Sequence, residues 1–247
     1  PQQTRVNDYI LVIDIGGGTS DYALVRRTIN GYEVCCNTRG GTNPAGNSFD
    51  AELKMLLMRT GTNFSAANIR LAKENLFPSF DAYCRLNGLT KENLESRRIY
   101  ENQYENPTNA PLTMIKSDSN TEYKVSFQKG VQATYNAGSY NYYPNFKNRC
   151  VTELIPAVKS YLKGYKDVTP AHSLSQVMFV GGTCSIYPLR KEIEAAVRSV
   201  YNDINNDIKV VFWDNEDCNE NDGVILTCSN IIAIGAAYQG AEENESS

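Results

Sequence analysis

Residues 11–21, Leu-Val-Ile-Asp-Ile-Gly-Gly-Gly-Thr-Ser-Asp, carry an apolar run straight into a carboxylate, three glycines, a hydroxyl and a second carboxylate. The run reads as a buried strand, and the glycines call for a tight turn at its end. Glycine has no Cβ, so Gly16, Gly17 and Gly18 can adopt positive φ and let backbone N–H groups touch an anion. Asp14 and Asp21 would sit beside that anion. Two carboxylates facing bare phosphate repel, so the pattern calls for a cation between them and a phosphate-bearing ligand. A glycine-rich hairpin that binds nothing is the other reading of a lone Gly-Gly-Gly, and the flanking acids argue against it.

The chain around this loop has 247 residues, 41% of them hydrophobic and 21% charged. It can bury a sizeable core as one large domain or two small ones, and the balance argues against disorder over most of its length. A net charge of −4 and a pI near 5.2 argue against nucleic acid as the main partner. No uninterrupted apolar run approaches the roughly 20 residues of a membrane-spanning helix, so no membrane partner is expected. Neither is a signal peptide, since no basic segment precedes an apolar one. The chain opens on Pro1 rather than methionine, which suggests a piece of something longer. Its seven cysteines are odd in number, none forms a Cys-x-x-Cys pair, and His172 is the sole histidine. A zinc site is therefore not expected, and the cysteines read as the reduced thiols of a cytoplasmic protein. The sequons at Asn63 and Asn244 are short enough to be chance matches.

The patterning predicts an α/β domain interrupted by a less regular insert. Strands are expected at Tyr9 to Ile15, Asp21 to Arg27 and Tyr32 to Thr38, with Asn30-Gly31 as a hairpin signal between the last two. A second glycine-rich turn spans residues 39–47. Asn47 and Ser48 then read as N-caps of a helix with Phe49, Leu53, Leu56 and Leu57 on one face, and Asp50 and Glu52 at its positive end. A second helix is expected after Ser65, carrying Ile69, Ala72 and Leu76. From Pro78 to Lys147 the chain turns rich in Asn, Tyr and Ser, with weak strand patterns at Leu112 to Ile115 and Tyr123 to Phe127. A helical stripe returns with Val151, Leu154, Ile155, Val158 and Leu162. Beyond it lie a buried strand at Gln176 to Val180, the turn Gly181-Gly182-Thr183, and a helix from about Ser185. That helix has Pro188 in its first turn and Leu189, Ile193, Val197 and Val200 as its core face. A last strand is expected at Ile208 to Trp213, and a closing helix at Asn230 to Gln239.

These motifs carry a resemblance. Asp14-Ile-Gly-Gly-Gly-Thr-Ser-Asp21 resembles the second phosphate motif of the actin and heat-shock-chaperone ATPase superfamily. The turn from Gly40 through Gly46 to Asp50 is similar to the turn and helix start that follow it in the seventy-kilodalton chaperones. Val180-Gly181-Gly182-Thr183 resembles the adenosine motif, and Ile232 to Ala237 the final helix. Four motifs in order are more specific than one, and together they span residues 9–241. The resemblance implies the carboxy-terminal lobe of such an ATPase. That lobe would be an RNase-H-like nucleotide-binding subdomain at 1–64 and 148–247 with a smaller inserted α+β subdomain at 65–147.

By the same resemblance, Asp14 would hold Mg2+ through water, with Asp21 ordering the metal's water shell. Gly16, Gly17, Gly18 and Thr19 would meet the β- and γ-phosphates of ATP or ADP. Gly46, Gly181, Gly182 and Thr183 would complete the nucleotide site, and Lys73 would fall near the ribose. The chaperones stack adenine between two arginines where this chain has Glu74 and Ser185, so the base end is expected to differ. The first phosphate motif and the residues of a first lobe are absent from these residues. Since phosphoryl transfer depends on groups from both sides, the chain alone is expected to hydrolyse ATP negligibly.

Two alternatives stay open: a compact small-metabolite kinase of the same superfamily, and a non-hydrolysing scaffold or filament subunit. The acidic stretch 214–223 fails as a calcium loop, because Asp222 takes the required glycine position and Cys228 the twelfth. Tyr135, Tyr140, Tyr142 and Tyr143 lie in a sparse basic field and read as packing or as a protein-contact rim within the 78–147 insert rather than a nucleic-acid platform. Cys35 and Cys36 would point to opposite faces of a strand, which argues against a shared reactive site.

Overall fold

The computed structural model describes residues 7–35, 40–42, 45–131, 138–168, 174–201 and 208–212. Strands β1 (Tyr9–Ile15), β2 (Ser20–Thr28), β3 (Gly31–Val34) and β4 (Gly40–Thr42) come first. Helices α1 (Gly46–Met58), α2 (Ala66–Leu76), α3 (Phe80–Asn87) and α4 (Leu94–Glu105) follow, then strands β5 (Leu112–Lys116), β6 (Glu122–Ser126) and β7 (Ser139–Asn141). The chain continues through α5 (Tyr143–Arg149), a π-helical turn (Cys150–Leu154), α6 (Ile155–Val168), β8 (Leu174–Val180), α7 (Tyr187–Tyr201) and β9 (Lys209–Phe212). It divides into two compact units: Pro1–Gly46 with Ile155–Ser185 and Arg190–Ser247, and Asn47–Leu154 with Ile186–Leu189.

The first unit is built on a mixed sheet of order β3-β2-β1-β8-β9, with β4 also pairing β2. Strand β2 runs antiparallel to β1 and β3, whereas β8 is parallel to β1 and β9 to β8. This order and polarity make the expected RNase-H-like α/β arrangement. Leu11, Ile13 and Ile15 of β1 alternate onto one face at 0% exposure, opposite Leu24, Tyr22 and Ser20 of β2. Helix α6 covers sheet residues directly, as its Tyr161 stacks on Tyr22 with ring centroids 3.7 Å apart. Helix α7 is tied to α6 by the Tyr201 hydroxyl, which donates to the Leu162 carbonyl at 3.0 Å, and by Lys166 Nζ on the Val200 carbonyl. Its buried face is the expected one: Leu189, Ile193, Val197 and Val200.

The second unit holds a three-stranded sheet of order β5-β6-β7 and an aromatic core. Phe77, Phe127, Tyr142 and Phe146 meet one another at centroid distances of 4.9–6.4 Å. Phe49, Leu53, Leu56 and Leu57 form the buried face of α1. Helix α2 starts from the Ser65 cap and buries Ile69, Ala72 and Leu76, as the spacing predicts.

Four expectations need correction. Helix α1 begins at Gly46, so Asn47 and Ser48 lie in its first turn rather than capping it. The glycine-rich segment before it contains a strand, β4, paired with β2 at Ser20–Tyr22. Helices α3 and α4 occupy a stretch whose pattern suggested only strands and turns; α4 buries Ser96, Tyr100, Gln103 and Tyr104, too polar a face for hydrophobic periodicity to reveal. Val151 leaves the helical stripe and is 52% exposed, because the wider π turn around it shifts the phase, while Cys150 and Leu154 stay buried. The acidic stretch 214–223, Tyr135, His172 and the closing helix at 230–239 lie outside the described residues. Among the described residues no helix is long and apolar enough to cross a membrane. Cys84, Cys150 and Cys184 are buried, and Cys35 is half-buried.

Candidate functional site

Strand β1 delivers Asp14 one residue before its end, and the antiparallel register sets it directly opposite Asp21 of β2. Residues opposed in this way project from the same face with Cβ atoms about 5 Å apart, so like charges there are destabilising unless something intervenes. Thr19 Oγ1 donates to Asp21 Oδ2 at 2.9 Å. Asp14 Oδ1 is buried and has no hydrogen-bond partner. Burial, and secondarily the charge of Asp21, push the Asp14 carboxyl above its ordinary range. On its other side Asp21 faces Gly41 of β4, a position with no side chain to crowd it. Gly41 was expected only as part of a turn; its signal was the Gly40-Gly41 pair.

The turn between β1 and β2 closes when the Gly16 N–H donates to the Thr19 carbonyl at 2.9 Å. Gly17, Gly18 and Thr19 lie exposed on it. Gly16 does not use the positive φ open to a glycine. A Cβ there would lie 3.3 Å from the Thr19 carbonyl oxygen, a tight contact. Two further turns converge on this one. The Gly46 N–H donates to the Gly16 carbonyl at 2.9 Å, and the Thr183 hydroxyl donates to the same carbonyl at 2.6 Å.

Strand β8 runs beside β1 with Val180 in register with Asp14, and Gly181 follows at φ +91°. A Cβ on Gly181 would stand 2.2 Å from Asp14 Oδ1 and 2.5 Å from the Ile15 carbonyl oxygen, so no other residue fits without displacing the carboxylate. Gly182 is exposed and opens a 3-10 turn, Gly182–Ser185, in which the Cys184 N–H caps the Gly181 carbonyl. The first unit thus brings together Asp14, Gly16, Gly17, Gly18, Thr19, Asp21, Gly46, Gly181, Gly182 and Thr183. Lys73 belongs to the second unit, where it forms a close ion pair with Asp50 at 2.6 Å, both side chains at least four-fifths buried. Glu74 beside it is exposed, and the Ser185 hydroxyl donates back to the Gly182 carbonyl at 2.7 Å.

The residues present fit a hydrated Mg2+. Among the described residues no group of three or more His, Cys, Asp or Glu is placed to cage a metal. Mg2+ retains several waters and is commonly held by one or two carboxylates together with substrate phosphates. Asp14, with a buried unpartnered oxygen and a second carboxylate opposite, supplies that kind of donor set.

No protein-family model matches the chain, and neither does any curated protein. Among solved structures it is similar to Bacillus thuringiensis ParM in apo form, with 12% identity and a TM-score of 0.44 over 84% of this chain and 40% of that one. It is also similar to a non-polymerisable quadruple mutant of pCBH ParM, with 10% identity and a TM-score of 0.43 over 97% of this chain and 48% of that one. Overlaps of this extent bear on neither chemistry nor partners. The chain spans less than half the length of either ParM, and its own sheet order and polarity are what make its fold RNase-H-like.

Proposed function

We propose that this chain is a nucleotide-binding lobe of an actin-like or chaperone-like ATPase, with the phosphates of Mg-ATP or Mg-ADP seated on the Gly16–Thr19 turn. The observation that carries the reading is the Asp14 carboxylate: one oxygen buried without a partner, Asp21 opposite, and a Gly181 backbone that leaves it room. A polar atom in that state costs free energy to the bare fold, which a ligand would recover. Asp14 and Asp21 would hold Mg2+ through its waters, and the ion would supply charge neutralisation for the phosphates. Exposed Gly17 and Gly18 would offer backbone N–H groups to phosphate oxygens. Thr19, already bonded to Asp21, would fix the orientation of that carboxylate. A first lobe would supply the opposing half of the catalytic site, so hydrolysis by this chain alone would be negligible. Further protein partners would meet the 78–147 insert.

One observation favours the scaffold alternative at the base end. The Ser185 hydroxyl is turned onto its own 3-10 turn, and Lys73 is engaged by Asp50, so two positions that would face a nucleoside are occupied internally. Calorimetry separates the readings: millimolar Mg-ATP binds under the lobe reading and gives no heat under the scaffold reading. In the binding case Asp14→Asn lowers Mg-nucleotide affinity at least about tenfold and leaves metal-free adenosine affinity unchanged. Equal affinity in variant and parent removes Asp14 from the mechanism. A steady-state ATPase rate within about tenfold of a full-length relative's would sink the half-site idea.

A further inference from the structure

We infer that Thr183 is a positioning residue for the phosphate turn rather than a nucleotide ligand. It acts through the Gly16 carbonyl, and the inference rests on the nucleotide reading above. A threonine hydroxyl has a single proton to donate, and Thr183 gives it to the Gly16 carbonyl at 2.6 Å. The Thr183 side chain is buried, which takes it away from any solvent-borne ligand. The Gly46 N–H approaches the same oxygen at 2.9 Å, so both lone pairs of that carbonyl are engaged. With its own N–H on the Thr19 carbonyl, Gly16 is held at both ends of its peptide frame. It is the residue at which β1 leaves the sheet, and its carbonyl lies in one peptide plane with the Gly17 N–H, so holding the carbonyl aims that amide.

The packing protects this bond. A Cβ on Gly46 would stand 2.6 Å from Thr183 Oγ1 and 3.2 Å from the Gly16 carbonyl oxygen, so the hydroxyl reaches its acceptor only because residue 46 is glycine. The three turns therefore form one device: Gly46 makes room, Thr183 donates, and Gly16 is fixed. The function of the device is to aim the phosphate-facing amides. Its signature is a loss confined to the phosphate part of binding, because a group that acts through the turn leaves contacts to the nucleoside intact.

The test measures, by calorimetry on the 247-residue chain, how much tighter Mg-ADP binds than adenosine. Thr183→Val keeps the branched shape and deletes the donor; it lowers Mg-ADP affinity about fivefold to tenfold, the size of one neutral hydrogen bond, with adenosine affinity unchanged. Thr183→Ser keeps the donor and restores most of the loss. Gly46→Ala displaces the hydroxyl from the other side and gives a similar loss. A parallel fall in adenosine and Mg-ADP affinity makes Thr183 a nucleoside ligand and overturns the inference, as does a Thr183→Val chain with an unchanged ratio. Failure of the unaltered chain to bind any Mg-nucleotide removes the nucleotide reading and this inference with it. If Thr183→Val does not fold, Thr183→Ala, which also deletes the donor, is compared with Thr183→Ser: loss in the first with retention in the second supports the inference, and any other pairing overturns it.

Discussion

The glycine turns around Asp14 and the aromatic body around Phe127 treat buried polar groups in opposite ways. In the second unit three buried tyrosine hydroxyls find backbone carbonyls: Tyr142 on Phe49 at 2.6 Å, Tyr100 on Pro78 at 2.9 Å and Tyr104 on Leu76 at 3.2 Å. Asn141, 1% exposed, spends its whole amide on the backbone of Gln128, Val131 and Tyr143. Gln103 Nε2 and Arg149 Nε are exceptions there, and Asp50 Oδ1 has the Lys73 ion pair in place of a hydrogen bond. At the glycine turns the Gly16 N–H and carbonyl are both engaged, yet the carboxylate at their centre keeps a buried oxygen without a partner and faces a second acid. Satisfied polar groups make a body rigid; a fixed frame around an unsatisfied charge is what a ligand site needs.

Substitutions break or sharpen that contrast by amounts that should rank as follows. Phe127→Ala has the largest effect, because Phe127 is 1% exposed and packs on Phe77, Tyr104, Tyr142, Tyr143 and Phe146. A loss of about 3–5 kcal/mol in chemical denaturation is expected, and a loss under about 1 kcal/mol would mean that this body is not tightly packed. Gly181→Ala comes next, at about 3 kcal/mol, from a side chain at φ +91° driven into Asp14 and the Ile15 carbonyl. It should also abolish Mg-nucleotide binding, whereas unchanged binding would show that the carboxylate can move aside.

Tyr142→Phe should cost about 1 kcal/mol, since it removes one donor and leaves the buried Phe49 carbonyl short of a partner. Asp14→Asn runs the other way and stabilises the ligand-free protein at pH 7 by about 0.5 kcal/mol, through relief of a cross-strand like-charge pair. The pH dependence checks the sign. A carboxyl whose folded pKa is raised binds more protons folded than unfolded, so its contribution falls as pH rises from the ordinary value of 3.8 through the raised one. The parent should lose stability across that window relative to Asp14→Asn, and matching pH profiles would mean that Asp14 is not strained.

Much of this was legible beforehand where periodicity is carried by aliphatic side chains. Strand β1, the buried faces of α1, α2 and α7, and the hairpin at Gly31 all follow from such spacing or from turn chemistry. Helices α3 and α4 did not, although their caps were in plain view: Ser79 and Asn93 at the starts and Gly88 at φ +63° between them. Their buried faces mix tyrosine, serine, glutamine and cysteine, whose burial depends on which carbonyl each hydroxyl or amide can reach, and one-dimensional pattern does not carry that information. Within the candidate site, the residue types and order of the three turns could be read, but not which atom each one holds. The freedom of Gly16 to take positive φ could be read, but not that its carbonyl would receive the Thr183 hydroxyl.

By itself the sequence determined the local elements that aliphatic period or turn residues dictate, and it put Asp14, three glycines and Asp21 at the end of a strand. Only the tertiary structure decided that Gly46 and Thr183, dozens of residues apart, meet on one carbonyl, and that Gly181 passes close enough to Asp14 to exclude a methyl group. The reason is range. Helix and turn propensities act over a few residues, whereas strand register between β1 and β8 places atoms from distant segments to within tenths of an ångström.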